Sequence, residues 1–475
     1  MQFDYRTNDD IFIGHERHQA GLLMYQRLLL LLPDFVRQRF ESGGNLQQAT
    51  ANVGWLFFDK VLRLGVGLLV TAWIARYLGP EQYGVWSYAI AFVALFGTFA
   101  SLGLDGIVVR EVVKDAGTRN AVLGSAFVLK LAGGIVALAT SLVLIIILKQ
   151  GDSLTHILVG ITGAAFIFQS FDAIDLYFQF RVESKFSVLA KNVAFVVASL
   201  FKIALILTGA SLIAFAGAGL LEGFLGALFL VIAYNIRGES LRNWRVQAAT
   251  AVGMLRDSWP LILSGLVIMV YMRIDQIMLG EMIGETAVGL YAAAVRISEI
   301  WYFIPVAIAG SMFPRIVELK QRDQALYLRR LQQLYDFLTW VSIAGALTMS
   351  LLSGPIVQWL YGTQFQETAG ILVVHVWTGV FVSLGVVSSK YLLIENMTKI
   401  AFYRSTSGAV VNVLVNLILI PRYGGIGAAV ATLLSQSLAA YLFDLANSRT
   451  RLMFLMKTRS ILFLDAFKLI NKTNV

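Results

Sequence analysis

Apolar residues run along this chain in long unbroken stretches. They lie at about 52–77, 83–104, 120–148, 155–179, 188–208 and 211–234, then at about 259–281, 284–313, 331–353, 368–394, 398–420 and 425–447. A helix needs roughly 20 such residues to cross a hydrocarbon core about 30 Å thick. The stretches are continuous rather than alternating in polarity, which excludes a transmembrane β-barrel. The pattern predicts an all-α polytopic membrane protein with about 12 transmembrane helices.

Polar segments divide the chain further. Residues 1–50 form an N-terminal extension, 51–234 a first six-helix lobe, 235–258 an amphipathic linker, 259–447 a second six-helix lobe and 448–475 a basic tail. Within the extension, "GLLMYQRLLLLLPDFV" is short and broken by Arg27 and Pro33, so an interfacial helix is expected rather than a span or signal peptide. The linker, with Arg237, Arg242, Arg245 and Arg256, and with Trp244 inside it and Trp259 at its border, also reads as interfacial.

Composition agrees with the membrane reading. Hydrophobic residues make up 57% of the chain and charged residues 14%, against roughly 25% charge in soluble domains. The net charge of +9 has a distribution that explains it. Basic residues crowd the N-terminal segment, the loops after even-numbered spans (Arg110, Lys114, Arg181, Lys185, Arg315, Arg329) and the tail, whereas the odd loops hold little beyond Arg76, Lys149 and Arg422. The positive-inside rule puts both termini in the cytoplasm and makes nucleic acid an unnecessary partner. With no cysteine, thiolate catalysis, iron–sulfur clusters and disulfides are excluded. His15, His18, His156 and His375 are too scattered to predict a metal site, and no cofactor is expected.

A repeat runs through the pattern. "LGPEQYGVWSYA" at 78–89 returns as "IGETAVGLYAAA" at 283–294, pairing Gly79 with Gly284, Gly84 with Gly289 and Trp86 with Tyr291 at an offset of 205. Arg110 falls on Arg315 at the same offset, and "YFQFRVESKF" (177–186) echoes "YLLIENMTKI" (391–400) at 214. Six spans per copy is an even number, so both copies have one orientation, and an axis along the membrane normal relates the lobes. Two facing lobes enclose a cleft, and rocking them gives alternating access.

These residues carry a resemblance. "ARYLGPEQYG", "SLGLDGIVVRE" and "RIDQIMLGEMIGETAVGLYAAAVRI", with residues of about 50–447 around them, resemble the polysaccharide transporter branch of the multidrug/oligosaccharidyl-lipid/polysaccharide exporter superfamily. The resemblance implies a flippase that moves undecaprenyl-pyrophosphate-linked oligosaccharides from the cytoplasmic to the periplasmic leaflet of a bacterial inner membrane. Membrane lipids surround it, a polysaccharide polymerase is a possible partner, and a proton or sodium ion drives the cycle. It also implies a central cavity built by the first, second, seventh and eighth spans.

Charges in those spans are the candidate site, because a charge near mid-bilayer costs roughly 2.5–3.5 kcal/mol on insertion scales and usually faces a cavity. Lys60 and Arg63 share a face of the first span, Arg273 lies in the seventh and Arg296 in the eighth. The fork geometry of arginine suits a pyrophosphate, so these four are expected to bind it. The competing expectation is structural: Asp59 pairs with Arg63 and Arg296 with Glu299, at helical spacing. Asp59, Asp275 or Glu299 could carry the coupling ion. Elsewhere, Lys130, Lys202 and Glu222 are expected to pair among themselves, Asp172 and Asp175 to form a solvated face, and Asn412 and Asn416 to bond to neighbouring helices. Sugar recognition could draw on Trp86, Tyr88, Tyr271, Tyr291, Trp301 or Tyr302, none of which the sequence singles out.

Other classes fare worse. No Walker A motif is present, so ATP-driven export by this polypeptide is not expected. The external loops, roughly four to fourteen residues long, are too short for the catalytic domain of a membrane enzyme. A multidrug exporter of the same superfamily should have an acidic cavity, and this one is basic. Peptidoglycan-precursor flippases are typically longer, with fourteen spans.

Overall fold

The computed structural model describes residues 44–464 of the chain; the proposed interfacial helix at the N-terminus, with His15 and His18, lies outside the described residues. The helices are α1 (Gly44–Ser101), α2 (Asp105–Lys114), α3 (Arg119–Leu148), α4 (Ser153–Gln169), α5 (Asp172–Phe180), α6 (Lys185–Leu207) and α7 (Leu212–Ile236) in the first half. The second half holds α8 (Ala248–Met282), α9 (Glu285–Glu299), α10 (Phe303–Arg322), α11 (Gln324–Tyr361), α12 (Thr368–His375), α13 (Thr378–Ile394) and α14 (Thr398–Ser437). A π-helical turn, Leu438–Leu442, and one more helical turn follow α14, and α15 (Arg451–Ile461) closes the described chain.

Ten helical segments among the described residues are long and apolar enough to cross a membrane. Two of them fold back on themselves. α1 is broken at Gly79 (φ 78°) and α14 at Gly424 (φ 52°), each in a backbone region closed to most L-residues. The sequence pattern divides each of these two at its break, which is where its expected count of twelve differs from these ten. Between spans, large side chains such as Leu207, Ile236, Leu351 and Leu417 stand exposed. In water such a surface would drive association; around a helical bundle of this hydropathy it is the lipid face.

The duplication is visible in the backbone. At one end of the molecule, here called the hairpin end, each turn between spans uses a glycine with positive φ: Gly79, Gly151, Gly209, Gly284, Gly362 and Gly424. The first three match the last three at offsets of 205, 211 and 215. At the opposite, basic end, Val182 and Asn396 both adopt φ 56°, 214 residues apart. A β-branched residue there is a true outlier, so the copied geometry has outlasted the residue that suits it.

Packing differs between the two ends. At the hairpin end one apolar core draws on both halves, joining Ile74, Phe92 and Phe215 to Tyr291, Phe365 and Ile420. At the basic end there are two separate cores. One is built around Phe178 and Tyr234, the other around Tyr327 and Tyr335. The halves therefore share one core at the hairpin end and keep separate cores at the basic end, where contacts such as Gly265 on Thr98 and Phe57 on Phe303 still join them.

The seam itself is a close backbone contact. A Cβ on Gly84 would lie 1.8 Å from the backbone oxygen of Glu285, and one on Gly289 would lie 2.0 Å from that of Pro80. Both the glycines and their partners are 205 residues apart, so each hairpin contacts the other through the equivalent site. Lys149 reaches across to Glu281 and Glu285 at 3.5 and 3.4 Å, and Gln364 Nε2 donates to the Arg76 carbonyl at 2.7 Å.

The segment between the halves lies against the first half. Arg119 holds Glu239 through two bonds of 2.9 Å, and Trp244 Nε1 donates to Tyr234 Oη at 3.0 Å. The Arg245 N–H donates to the Asn120 carbonyl at 3.1 Å, over Gly124, where a Cβ would meet the Arg245 oxygen at 2.5 Å. Residues 248–258, expected as linker, are instead the first turns of α8.

Candidate functional site

Three adjoining cavities meet at Arg296: two lie between the halves, lined by α1, α8, α9 and the start of α10, and the third lies among α1, α6 and α7 of the first half. A space of 310 Å³ is bounded by Lys60, Leu64, Met272, Tyr302 and Phe303. Toward the hairpin end lies one of 170 Å³ bounded by Thr71, Trp86, Arg273 and Gln276. A third, of 230 Å³, runs between α1 and α6 past Gly67 and Phe195. Arg296 lines all three.

Helix α9 explains how Arg296 reaches this junction. Every residue from Val288 to Ser298 is buried except Arg296, which is exposed. An exposed cation on an otherwise buried helix has to project into an internal opening. Its guanidinium lies beside the backbone of Gly67, where a Cβ would be 3.7 Å from Nη2. Neither Arg296 nor Lys60 has an ion-pair partner among the described residues.

The structural pairing expected for Arg296 is not what forms. Glu299 faces Arg273 instead, at 3.7 Å, because three residues along α9 carries Glu299 toward α8. Arg63 does pair with Asp59 at 2.8 Å, and also meets Glu222 of α7 at 3.7 Å and covers the Phe195 ring at 5.2 Å. Lys60, Arg273 and Arg296 thus adjoin the central space, while Arg63 bridges it to a 410 Å³ cavity inside the first half.

Two other expectations change within the first half. Lys202 binds Glu222 at 2.9 Å, but Lys130 turns to Asp105 at 2.6 Å rather than joining them. Asp172 and Asp175 are not a merely solvated face: Lys191 holds both, each at 2.8 Å. Lys191 comes from α6, sixteen or more residues further on, and only helix packing brings it there.

Asp275 lies elsewhere. Two positions past Arg273, it points into the second half and is 3% exposed. Its Oδ1 accepts from Asn416 Nδ2 at 2.6 Å, and its Oδ2 from Tyr291 Oη at 2.8 Å and Thr432 Oγ1 at 2.5 Å. Asn416 also donates to Asn412 Oδ1 at 3.1 Å, and its own Oδ1 is buried without a partner. Asp275 thus sits among neutral groups, whereas Asp59 and Glu299 each face an arginine. The four-residue spacing of Asn412 and Asn416 was a legible signal; Thr432 and Tyr291 were not.

Most of the aromatic candidates for sugar contact are committed to other partners. Tyr88 donates to Glu281 at 2.7 Å, Tyr291 to Asp275, and Tyr302 shares a bond of 2.7 Å with Thr378. Trp301 packs on Gly345. His375 is buried with Nδ1 3.0 Å from Ser298 Oγ.

Residues 49–320, more than half of the chain, match the family described as polysaccharide biosynthesis protein. The chain belongs to that family. Among its relatives, the probable flippase AglR of Haloferax volcanii is 28% identical over 404 residues, covering 81% of this chain and 80% of that one. The fold is that of the lipid II flippase MurJ in an inward closed conformation (TM-score 0.67, 16% identity, 89% of this chain and 93% of that one). It is equally that of an inward-facing multidrug resistance MATE transporter of the MOP superfamily (TM-score 0.66, 15% identity, 87% and 99%). The resemblance read from the sequence is therefore correct in family and in two-lobed helical fold, and this family member is a multi-pass membrane protein.

Proposed function

We propose that this protein is a flippase, a transporter and not an enzyme, that carries a polyprenyl-pyrophosphate-linked oligosaccharide across the membrane for surface glycan synthesis. The observation that carries the reading is Arg296, an exposed and unpaired cation at the junction of three cavities, two of them between the halves. With Lys60 and Arg273 it makes a cationic wall suited to a pyrophosphate, and Arg63 extends that wall toward the first half. A cavity of this sign disfavours the cationic cargo of a multidrug exporter. The basic end faces the cytoplasm under the positive-inside rule. The closed hairpin seam then makes this the cytoplasm-facing state, with both termini inside.

Undecaprenyl pyrophosphate in a bacterial inner membrane is the carrier that the sequence resemblance implies. The named relative is archaeal, and a cationic site reads the pyrophosphate rather than prenyl length, so the proposal is framed for polyprenyl pyrophosphates generally. Membrane lipids surround the protein, and a separate polysaccharide polymerase acts on the product. Asp275 is the favoured coupling carboxylate, for a proton or sodium, because no cation among the described residues neutralises it. Asp59 and Glu299 are weaker candidates for the same reason reversed.

Cells lacking the protein but expressing the glycan pathway should accumulate lipid-linked repeat units on the cytoplasmic face. Lys60→Ala and Arg296→Ala should reproduce that pool at normal protein levels, as should Arg63→Ala. Normal export in all three variants, or a pool on the outer face, would sink the cationic site.

A further inference from the structure

The cavities flanking Arg296 differ in chemistry. The 310 Å³ space nearer the basic end is walled by Leu64, Met272, Phe303 and Val306 around Lys60. The 170 Å³ space nearer the hairpin end has Trp86, Gln276 and Ser87 in its wall, together with Arg273, Arg296 and Glu299. One is a largely apolar slot that also holds Lys60, Arg296 and Glu299; the other is a polar, aromatic cup.

Two polar groups in the cup have no hydrogen-bond partner among the described residues. Gln276 is 5% exposed, yet its carboxamide has no hydrogen-bond partner among the described residues. Trp86 is 9% exposed, and its indole N–H is likewise unpartnered. Neither group is among the sealed polar atoms of the interior, so both face the opening. Buried polar groups normally find partners, and these two converge on one small space. Tyr83 stands edge-on to Trp86, centroids 6.2 Å apart and planes at 73°, which fixes the indole.

We infer that this cup binds the first sugar of the transported glycan, the hexose joined directly to the pyrophosphate, with Trp86 and Gln276 as its specificity-determining residues. The inference rests on the function proposed above. A hexose offers an apolar C–H face to an aromatic ring and a rim of hydroxyls to a planar amide, which can donate to one and accept from its neighbour. The placement follows the covalent order of such a molecule. The pyrophosphate sits at Arg296, with Arg273 on one side and Lys60 on the other, the prenyl chain leaves along the apolar wall of the slot, and the sugar points toward the closed hairpin seam. Thr71, eleven residues beyond Lys60 on α1, puts the cup roughly 16 Å past the lysine along the helix.

The test uses the purified full-length protein in detergent and four probes. These are farnesyl pyrophosphate and farnesyl pyrophosphates carrying glucose, galactose or N-acetylglucosamine. At least one sugar-bearing probe should bind about tenfold more tightly than farnesyl pyrophosphate, the gain expected from two neutral hydrogen bonds. Gln276→Met and Trp86→Phe should each lose most of that gain while binding farnesyl pyrophosphate as the parent does, which also shows that they fold. Arg296→Gln should weaken all four probes. A parent that binds farnesyl pyrophosphate but gains nothing from any sugar overturns the cup and leaves the pyrophosphate site standing. Variants that keep the gain, or lose both affinities together, also overturn it. Failure of the parent to bind any probe overturns the proposed function and the cup with it.

Discussion

The two halves of this protein share a backbone plan and differ in what they bury. Their turn glycines match, and their hairpins meet through the same reciprocal contact, Gly84 on Glu285 and Gly289 on Pro80. Inside, the first half surrounds a 410 Å³ cavity with paired charges, Arg63–Glu222–Lys202 and Lys191 between two aspartates. The second half instead buries Asp275 among neutral donors. Geometry that both halves need to close against each other has been kept; side chains free of that duty have diverged. One half thereby holds balanced ion pairs, and the other holds a carboxylate among neutral donors, the feature on which the proposed coupling role rests.

The sharpest way to break the likeness is at the seam. Gly84→Val or Gly289→Val puts carbon where a backbone oxygen stands, and backbone cannot yield as a side chain can. The closed hairpin end should lose about 3 kcal/mol or more, and transport should stop. The chain has no native cysteine, so a cysteine pair introduced at Arg76 and Gln364 reports the seam. It should cross-link in the parent and fail to in either valine variant; undiminished cross-linking would refute the gate.

The contrast between the halves is sharpened next. Asp275→Asn removes the carboxylate from its neutral nest. It should lower transport between about five- and 150-fold, the range of ordinary coupling energies, and remove dependence on the driving ion. Transport followed against sodium at fixed pH, then against pH at fixed sodium, identifies the ion. Equal ion dependence in the variant would acquit Asp275.

A smaller effect belongs to the first half. Glu222→Gln leaves Lys202 without its partner. The pair is partly exposed (14% and 25%), so the loss should be about 1–2 kcal/mol, below the 3–5 kcal/mol of a fully buried pair. Adding Lys202→Met should restore most of it, as thermal unfolding of the two variants would show.

The smallest concerns Arg110 and its copy Arg315. Arg110 pairs across to Asp257 of α8, whereas Arg315 pairs with Glu318 on its own helix. Both lie at the exposed basic end, so Asp257→Asn should lower the melting temperature only slightly. A larger loss in melting temperature than that would make the Arg110 bridge a second fastening between the halves.

Much of this was legible in one dimension because the bilayer leaves a helix few alternatives. Length and hydropathy determine the spans, Lys and Arg bias their orientation, and a glycine at a fixed offset marks a turn that few other residues could make. The family, the two lobes and the hairpin repeat follow from those local constraints. The Asp59–Arg63 pair is also local, four residues apart on one helix.

Partner choice across helices was not legible. Sequence spacing suggested Glu299 for Arg296, yet Arg273 of α8 takes it and leaves Arg296 open to three cavities. Lys191 reaches two aspartates from another helix, and Asp275 gathers Tyr291, Asn416 and Thr432 over as many as 157 residues. Hydropathy places each residue at a depth in the membrane. Which face it turns toward a neighbour, and so whether a charge is paired, buried or offered to a ligand, depends on how the helices pack, and only the tertiary structure decides that.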